Sequence, residues 1–181
     1  MMDLAPPPGA PLALEQARIV DVFIAACLRG EAKLKPEQSI SVTLEHLPKQ
    51  LRREYRPAGG TFVKLAGSAS SFLYWFDQSP HPRRFARVCG IASQIVDIGF
   101  AWRRISLEID RVSYEGPAAE HVGNPTQLMF ERPEHGYTLS YASGVGGYSV
   151  VQIGWMTEQQ RESSLIRRRR VDKLIENKKK K

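Results

Sequence analysis

The first half of the chain carries mainly helical hydrophobic patterns. Apolar side chains recur at helical spacing over residues 14–29, and Gly30 is a typical residue for the end of that helix. The pattern then predicts a strand at 40–42, a turn and short helix at 43–55, a helix at 61–76 and a strand at 84–88. This order predicts a winged-helix-like unit over residues 14–90, which follows a Pro-rich extension at 1–13.

In the second half of the chain, apolar and polar residues alternate with a period of two. Ile105, Leu107 and Ile109 alternate with polar residues, which predicts a half-buried strand at 104–110. Further strands are predicted at 126–131, 137–141 and 148–153, so residues 91–155 form an antiparallel β unit. Thr157 and Gln160 fit a capping box that begins a basic helix and tail over residues 156–181. The predicted fold class is α+β, with a winged-helix-like helical unit, an antiparallel β-meander and a long basic C-terminal helix.

Positive charge is concentrated at the C-terminus. Residues 161–181 contain ten basic and three acidic side chains, a net charge of +7, which equals the net charge of the whole chain. Residues 1–160 are therefore balanced, with 16 side chains of each sign. A local block of one sign indicates an interaction tail rather than a general solubility effect.

Nucleic acid is the partner that this tail favours, because arginine forks and lysine ammonium groups both match phosphate oxygens. The predicted RNA-binding residues of the tail are Arg161, Arg167, Arg168, Arg169, Arg170, Lys173, Lys178, Lys179, Lys180 and Lys181. Secondary candidates are Arg52, Arg53, Arg83, Arg84, Arg103 and Arg104, with Tyr74, Trp75 and Trp102 as possible base-stacking residues. An acidic protein, a membrane surface or a merely solvated helix end remain as alternatives.

No pattern of catalytic or metal-binding residues is present in the sequence. The four histidines lie far apart and form neither a HExxH motif nor a cluster with cysteine. We therefore predict no catalytic residue, no metal ligand, no cofactor and no small-molecule substrate. Cys27 and Cys89 lie among apolar residues, which favours two buried free thiols, with a disulfide as the alternative. The sequence contains no apolar run of about 18 residues, so we predict no membrane span.

One segment resembles a known family. Leu47, Pro48, Leu51, the glycine turn at 59–60 and the strand-like 82–88 are similar to winged-helix modules of the LOTUS type, over about residues 38–90. Such modules occur in mitochondrial RNA-processing and ribosomal proteins of kinetoplastids and related euglenozoans.

The resemblance implies a non-enzymatic, RNA-binding structural subunit of a mitochondrial ribosome or RNA-processing complex. It would contact RNA, above all rRNA, and neighbouring protein subunits in the mitochondrial matrix, although no presequence is visible; the cytosol and the nucleus are the alternative compartments. The alternative function is a protein-interaction adaptor, whose winged helix docks partners and whose basic tail is a localisation signal. A DNA-binding regulator is disfavoured, because residues 61–76 are poor in the Arg, Asn and Gln side chains that read bases.

Overall fold

The computed structural model describes residues 10–30, 39–42, 45, 47–49, 52, 60–66, 68, 70–77, 85–113 and 127–180. Within these ranges the helices are α1 (Ala10–Phe23), which continues into a π-helical turn (Ile24–Leu28), α2 (Ile98–Ser113) and α3 (Glu158–Lys179). The strands are β1 (Ser39–Val42), β2 (Thr61–Leu65), β3 (Ser71–Phe76), β4 (Arg87–Ser93), β5 (Gln127–Arg132), β6 (Tyr137–Val145) and β7 (Tyr148–Trp155).

All seven strands belong to one antiparallel sheet in the order β1-β2-β3-β4-β7-β6-β5. The centre of the sheet is the β4–β7 pair, in which Arg87 lies opposite Trp155 and Ser93 opposite Ser149. The predicted boundary at residue 90 falls inside β4. The predicted units 14–90 and 91–155 therefore share this sheet.

The main core lies on the face of the sheet that α1 and α2 cover. Ile19 and Phe23 of α1, Ile105 of α2 and Leu73 and Ile91 of the sheet are fully buried there. Burial of such side chains contributes about 1.5–3 kcal/mol each relative to exposure. Two ion pairs join the N-terminal helical segment to α2: Arg104 of α2 binds Asp21 of α1, and Arg29 binds Glu108 of α2.

A disulfide joins Cys27 of the π-helical turn to Cys89 of β4, with a Cα–Cα distance of 5.5 Å. The prediction of two free thiols was therefore wrong. Composition favours a buried thiol at each position, but it carries no information on whether two sites 62 residues apart meet. The bond fastens the end of the first helix to the centre of the sheet.

The opposite face of the sheet carries an aromatic cluster. Phe62, Tyr74 and Phe76 pack in edge-on and tilted contacts, with ring centroids 5.4–6.1 Å apart. Leu47 and Phe85, which come from connecting segments, are buried in the same cluster. The central strands are consequently covered on both faces.

The predicted helix at 61–76 was wrong, because these residues form β2 and β3. Thr61 lies opposite Trp75 and Lys64 opposite Phe72, as in a β-hairpin. The large apolar residues that suggested a helical stripe are instead divided between the two faces of the sheet: Leu65 and Leu73 face α1, whereas Phe62 and Phe72 belong to the aromatic cluster. The third helix of the predicted winged-helix unit is thus replaced by two strands.

The predicted strand at 104–110 was also wrong, since it lies inside α2. Ala101 and Ile105 are fully buried at helical spacing, whereas Leu107 is 63% exposed. The helix begins after Asp97, whose Oδ1 atom accepts a hydrogen bond of 2.8 Å from the Phe100 amide. The alternation of Ile105, Leu107 and Ile109 spans too few residues to outweigh this longer period.

The remaining predictions divide between confirmed elements and undescribed ones. The predicted helix at 14–29, the strands at 40–42, 126–131, 137–141 and 148–153, and the basic C-terminal helix are confirmed, with ends shifted by a few residues. The strand predicted at 84–88 begins later, at Arg87. The turn and helix predicted at 43–55 lie largely outside the described residues, as does the extension at 1–13.

Candidate nucleic-acid interface

Helix α3 begins at a complete capping box. The Gln160 amide donates to the Thr157 hydroxyl over 3.2 Å, and the Thr157 amide donates to Gln160 Oε1 over 2.7 Å. These bonds satisfy two donors that a helix start otherwise leaves unpaired. The capping box thereby fixes where the basic helix leaves the sheet, two residues after β7 ends at Trp155.

Thr157→Ala is expected to weaken the start of α3 by about 1 kcal/mol, because the Gln160 amide loses its acceptor. Amide hydrogen exchange in the first turn of α3 should accelerate about fivefold, measured by mass spectrometry or NMR. Ser163→Ala, at an exposed position of the same helix, is the control and should leave the exchange rate nearly unchanged. Equal rates in the two variants would contradict the role of the cap.

The first half of α3 is anchored on the turn between β5 and β6. Arg161 donates from Nε to the Pro133 carbonyl over 2.9 Å and from Nη2 to the Glu134 carbonyl over 3.1 Å. Arg168 forms an ion pair with the Glu134 carboxylate. Arg161 and Arg168 were predicted to bind RNA, and in the structure they fasten the helix to the sheet.

Arg167 has a mixed role. Its guanidinium donates to the Ser164 hydroxyl over 2.8 Å and lies 3.6 Å from the Glu131 carboxylate. Its side chain is still 65% exposed, so the ion pair is screened by water and contributes little to stability. Arg167 and Arg168 are thus the last residues of α3 that form an ion pair with a carboxylate of the described residues.

The remainder of the helix, residues 169–180, is exposed on every side; we call it the arm. It contains six basic and two acidic side chains, a net charge of +4. None of the six is in an ion pair with a carboxylate in the described part of the chain. The basic residues of the arm are Arg169, Arg170, Lys173, Lys178, Lys179 and Lys180; Lys181 lies outside the described residues.

The charges of the arm are not confined to one helical face. At 100° per residue, Arg170 and Lys173 point to one side of the helix axis and Lys179 to the other. One strip is apolar: Val171, Leu174 and Ile175 follow one another at helical spacing and are 45%, 63% and 48% exposed. The arm is therefore both cationic and partly apolar.

The secondary arginine candidates that the structure describes, Arg52, Arg103 and Arg104, lie outside α3. Arg104 donates from Nε and Nη2 to the two oxygens of Asp21, each over 2.7 Å, and these hydrogen bonds raise the pKa of its guanidinium. Arg103 is exposed on α2, and Arg52 is partly buried. Arg53, Arg83 and Arg84 lie outside the described residues.

The three aromatic candidates for base stacking have different environments. Tyr74 is fully buried, and its hydroxyl donates to Gln152 Oε1 over 2.9 Å. Trp102 stacks on Phe130, with ring centroids 6.2 Å apart. Trp75 is partly buried and lines a cleft at the end of the sheet. Only Trp75 and Trp102 thus have ring surface that a base can reach.

The cleft beside Trp75 contains two further residues that no sequence pattern connects. Trp155 and Arg87 line it, and the Arg87 guanidinium carbon lies 4.2 Å from the centroid of a Trp155 ring. They are 68 positions apart in the chain and become neighbours only because β4 pairs with β7. No local motif marks such a pair.

Within the described residues, no group of three or more His, Cys, Asp or Glu side chains is placed to hold a metal ion. No helix of this part of the chain has the length and apolar character needed to cross a membrane. Comparisons with protein-family models, with curated proteins and with solved structures found no significant match to this chain.

Proposed function

We propose that the protein is a non-catalytic RNA-binding subunit of a ribonucleoprotein and that the arm is its main RNA contact. The observation that carries the proposal is the contrast along α3. Its first half is fastened to the sheet through Arg161 and Arg168, whereas its second half extends six cations that form no ion pair with a described carboxylate. Cations that stabilise the fold are paired in this way, so unpaired ones in a block favour an external anion.

The geometry of the arm suits phosphate contacts on more than one side. Twelve residues of helix extend about 18 Å at 1.5 Å per residue, which is several phosphate spacings along a strand. Because basic side chains point to more than one side of the helix axis, the arm fits between RNA segments better than along one groove. Binding of this kind positions the subunit by charge and does not read sequence.

The contacts that anchor the helix increase the affinity for RNA, although they do not themselves touch RNA. The capping box and the Arg161 and Arg168 contacts set the direction of the helix before binding. A helix that is already ordered loses less conformational entropy on binding than a disordered tail does. The anchored arginines therefore support the interface through orientation.

Arg169→Gln with Arg170→Gln is expected to lower affinity for a 20-nucleotide single-stranded RNA about tenfold at 150 mM salt, because two phosphate contacts are lost. The slope of log K against log salt should become shallower by about 1.4 units. Fluorescence anisotropy over a salt series measures both quantities, and circular dichroism checks that the fold is kept.

Lys49→Gln with Lys64→Gln is the matched control, since it removes the same charge from described residues outside α3, one of which, Lys64, lies in β2 near the opposite edge of the sheet. This variant should retain nearly full affinity. Equal losses in the two variants would mean that only net charge matters, and no loss in either would contradict the proposal.

Membership of a ribonucleoprotein is tested separately by sedimentation of the tagged native protein with and without RNase. Co-migration with a large particle that RNase collapses supports a structural subunit. Migration as a small species under both conditions contradicts that part of the proposal, whatever the isolated protein binds.

A protein-interaction adaptor is the second candidate, because the apolar strip Val171, Leu174 and Ile175 lies exposed on the arm. An acidic amphipathic helix matches both the strip and the surrounding cations. This function predicts a complex that resists RNase and that is lost when the three residues are replaced by serine.

A location in the mitochondrial matrix has less support than RNA binding has. The LOTUS-type resemblance implies the mitochondrial matrix, but residues 61–76 form two strands and not the helix that such a module requires. The RNA-binding proposal therefore rests on the arm and not on the resemblance.

A further inference from the structure

A cleft of about 420 Å³ opens at one end of the sheet, on the face that carries α1. One wall is the end of the π-helical turn and the two residues after it, Arg29 and Gly30. The other walls come from β3, β4 and β7 and include Trp75, Arg87 and Trp155. A volume of this size lies in the range of cavities that hold a small ligand.

The walls offer flat aromatic and guanidinium surfaces. Trp75 and Trp155 are both partly buried, so each ring is held by the core while part of it faces the cleft. The Arg87 guanidinium carbon lies 4.2 Å from the centroid of a Trp155 ring, which is within the range of a cation–π contact. Planar ligands stack on such surfaces, and nucleobases stack on both tryptophan and arginine planes.

The two arginines of the cleft differ in charge balance. Arg29 donates from Nε and Nη2 to the Glu108 carboxylate over 2.9 and 2.6 Å, so its charge is neutralised within the protein. Arg87 forms no ion pair with a carboxylate of the described residues. Asp77 also lines the cleft and supplies an acceptor for an amino or imino group. The cleft thus combines aromatic surface, one available cation and one acceptor.

We propose that this cleft binds one unpaired nucleotide of RNA. The base enters beside Trp75 and Trp155, a neighbouring phosphate meets the Arg87 guanidinium, and Asp77 accepts a hydrogen bond from the edge of the base. The inference rests on the proposed function in one respect, that RNA is the source of the nucleotide. The cleft would recognise a ligand that has an aromatic ring next to an anionic group.

The position of the cleft relative to α3 supports a shared ligand. Arg87, Trp155 and Tyr137 lie in one row across β4, β7 and β6. Trp155 precedes the Thr157 cap by two residues, and the Met156 amide donates to the Gly136 carbonyl in the turn region that anchors α3. The cleft and the root of the basic helix are therefore at the same end of the sheet, within reach of one RNA strand.

The test compares hexauridylate with a hexamer of the same backbone that lacks bases. Binding is followed by quenching of tryptophan fluorescence in a Trp102→Phe background, which leaves Trp75 and Trp155 as the only emitters. The unmodified cleft should bind hexauridylate about tenfold more tightly than the abasic hexamer, since one stacked base contributes a factor of about this size. Arg87→Gln should lower hexauridylate affinity about tenfold and abasic affinity less than twofold, because a phosphate is held against Arg87 only when the neighbouring base is seated in the cleft.

Two controls separate this inference from the proposed function. Lys64→Gln removes a cation from β2 that does not line the cleft and should leave the preference for bases intact. Arg169→Gln with Arg170→Gln should weaken both hexamers by the same factor. If the arm variant changes nothing while Arg87→Gln abolishes the preference, the proposed function fails and the nucleotide site stands.

The inference is overturned if hexauridylate and the abasic hexamer bind equally to the unmodified cleft, or if Arg87→Gln leaves their ratio unchanged. Uridine monophosphate is the third probe. If uridine monophosphate binds with the same affinity as hexauridylate, RNA is also overturned as the source, because the site would then serve a free nucleotide.

Discussion

Reduction of the Cys27–Cys89 disulfide is expected to lower the free energy of unfolding by about 4 kcal/mol. The bond closes a loop across a sequence separation of 62 residues. In the chain-entropy model, a cross-link over a loop of this length restricts the unfolded ensemble by about that amount at 25 °C. The effect is large because a small domain has a total stability of only about 5–15 kcal/mol.

Urea denaturation of the oxidised and reduced protein measures this difference, with thiol titration to confirm each state. Reduction alone is the better comparison, because both sulfurs stay in place and no packing volume is removed. The Cys27→Ala, Cys89→Ala double variant is the control, and reductant should not change its midpoint. Two titratable thiols in the protein purified without reductant would contradict the bond.

The disulfide also bears on the compartment. Disulfides persist in oxidising surroundings and are rare where thiols are kept reduced. The Cys27–Cys89 bond therefore favours an oxidising compartment, whereas the family resemblance implies the mitochondrial matrix. Blocking of thiols in intact cells before lysis would distinguish the two, because it preserves the redox state of each cysteine.

Gly90→Ala is expected to destabilise the fold by about 3 kcal/mol. Gly90 lies in β4 between Tyr74 of β3 and Gln152 of β7, and the Tyr74 side chain crosses over it to reach Gln152. A Cβ atom at Gly90 would lie 2.5 Å from the Tyr74 hydroxyl oxygen, 2.6 Å from its Cζ atom and 2.8 Å from the Val151 carbonyl oxygen. Such overlap forces a fully buried ring and the neighbouring strand to move, at a cost in the upper range for overpacking.

A double-mutant cycle with Tyr74→Leu tests this explanation. Each single variant should be destabilised, by overlap in one case and by lost packing in the other. The double variant should be more stable than the sum of the two effects predicts, because the shorter side chain no longer crosses Gly90. Additive effects in urea denaturation would show that the Tyr74 ring is not what excludes a side chain at Gly90.

Residues 61–76 show why hydrophobic spacing alone could not distinguish the two strands from the predicted helix. A strand that is covered on one face shows alternation, whereas β3 is buried at five of its six positions. Its alternation is lost because α1 packs on one face and the aromatic cluster on the other. A short, nearly continuous apolar run fits a buried strand and a buried helix equally well.

The candidate site was predictable only in part, for a related reason. The net charge of the tail and its helical form follow from local sequence. The division of its arginines into anchored and available ones depends on the β5–β6 turn, which supplies the Pro133 and Glu134 carbonyls. The cleft residues Arg87 and Trp155 come from strands that pair across a long connection.

By itself, the sequence determined those features whose contacts lie within a few residues. The capping box at Thr157 and Gln160, the basic helix it begins and the β6–β7 hairpin are of this kind. Only the tertiary structure decided the strand identity of 61–76, the disulfide, the anchoring of Arg161 and Arg168, and the cleft. Each of these depends on which distant segments share the sheet, and local spacing cannot specify such a choice because the interactions that settle it act across the fold.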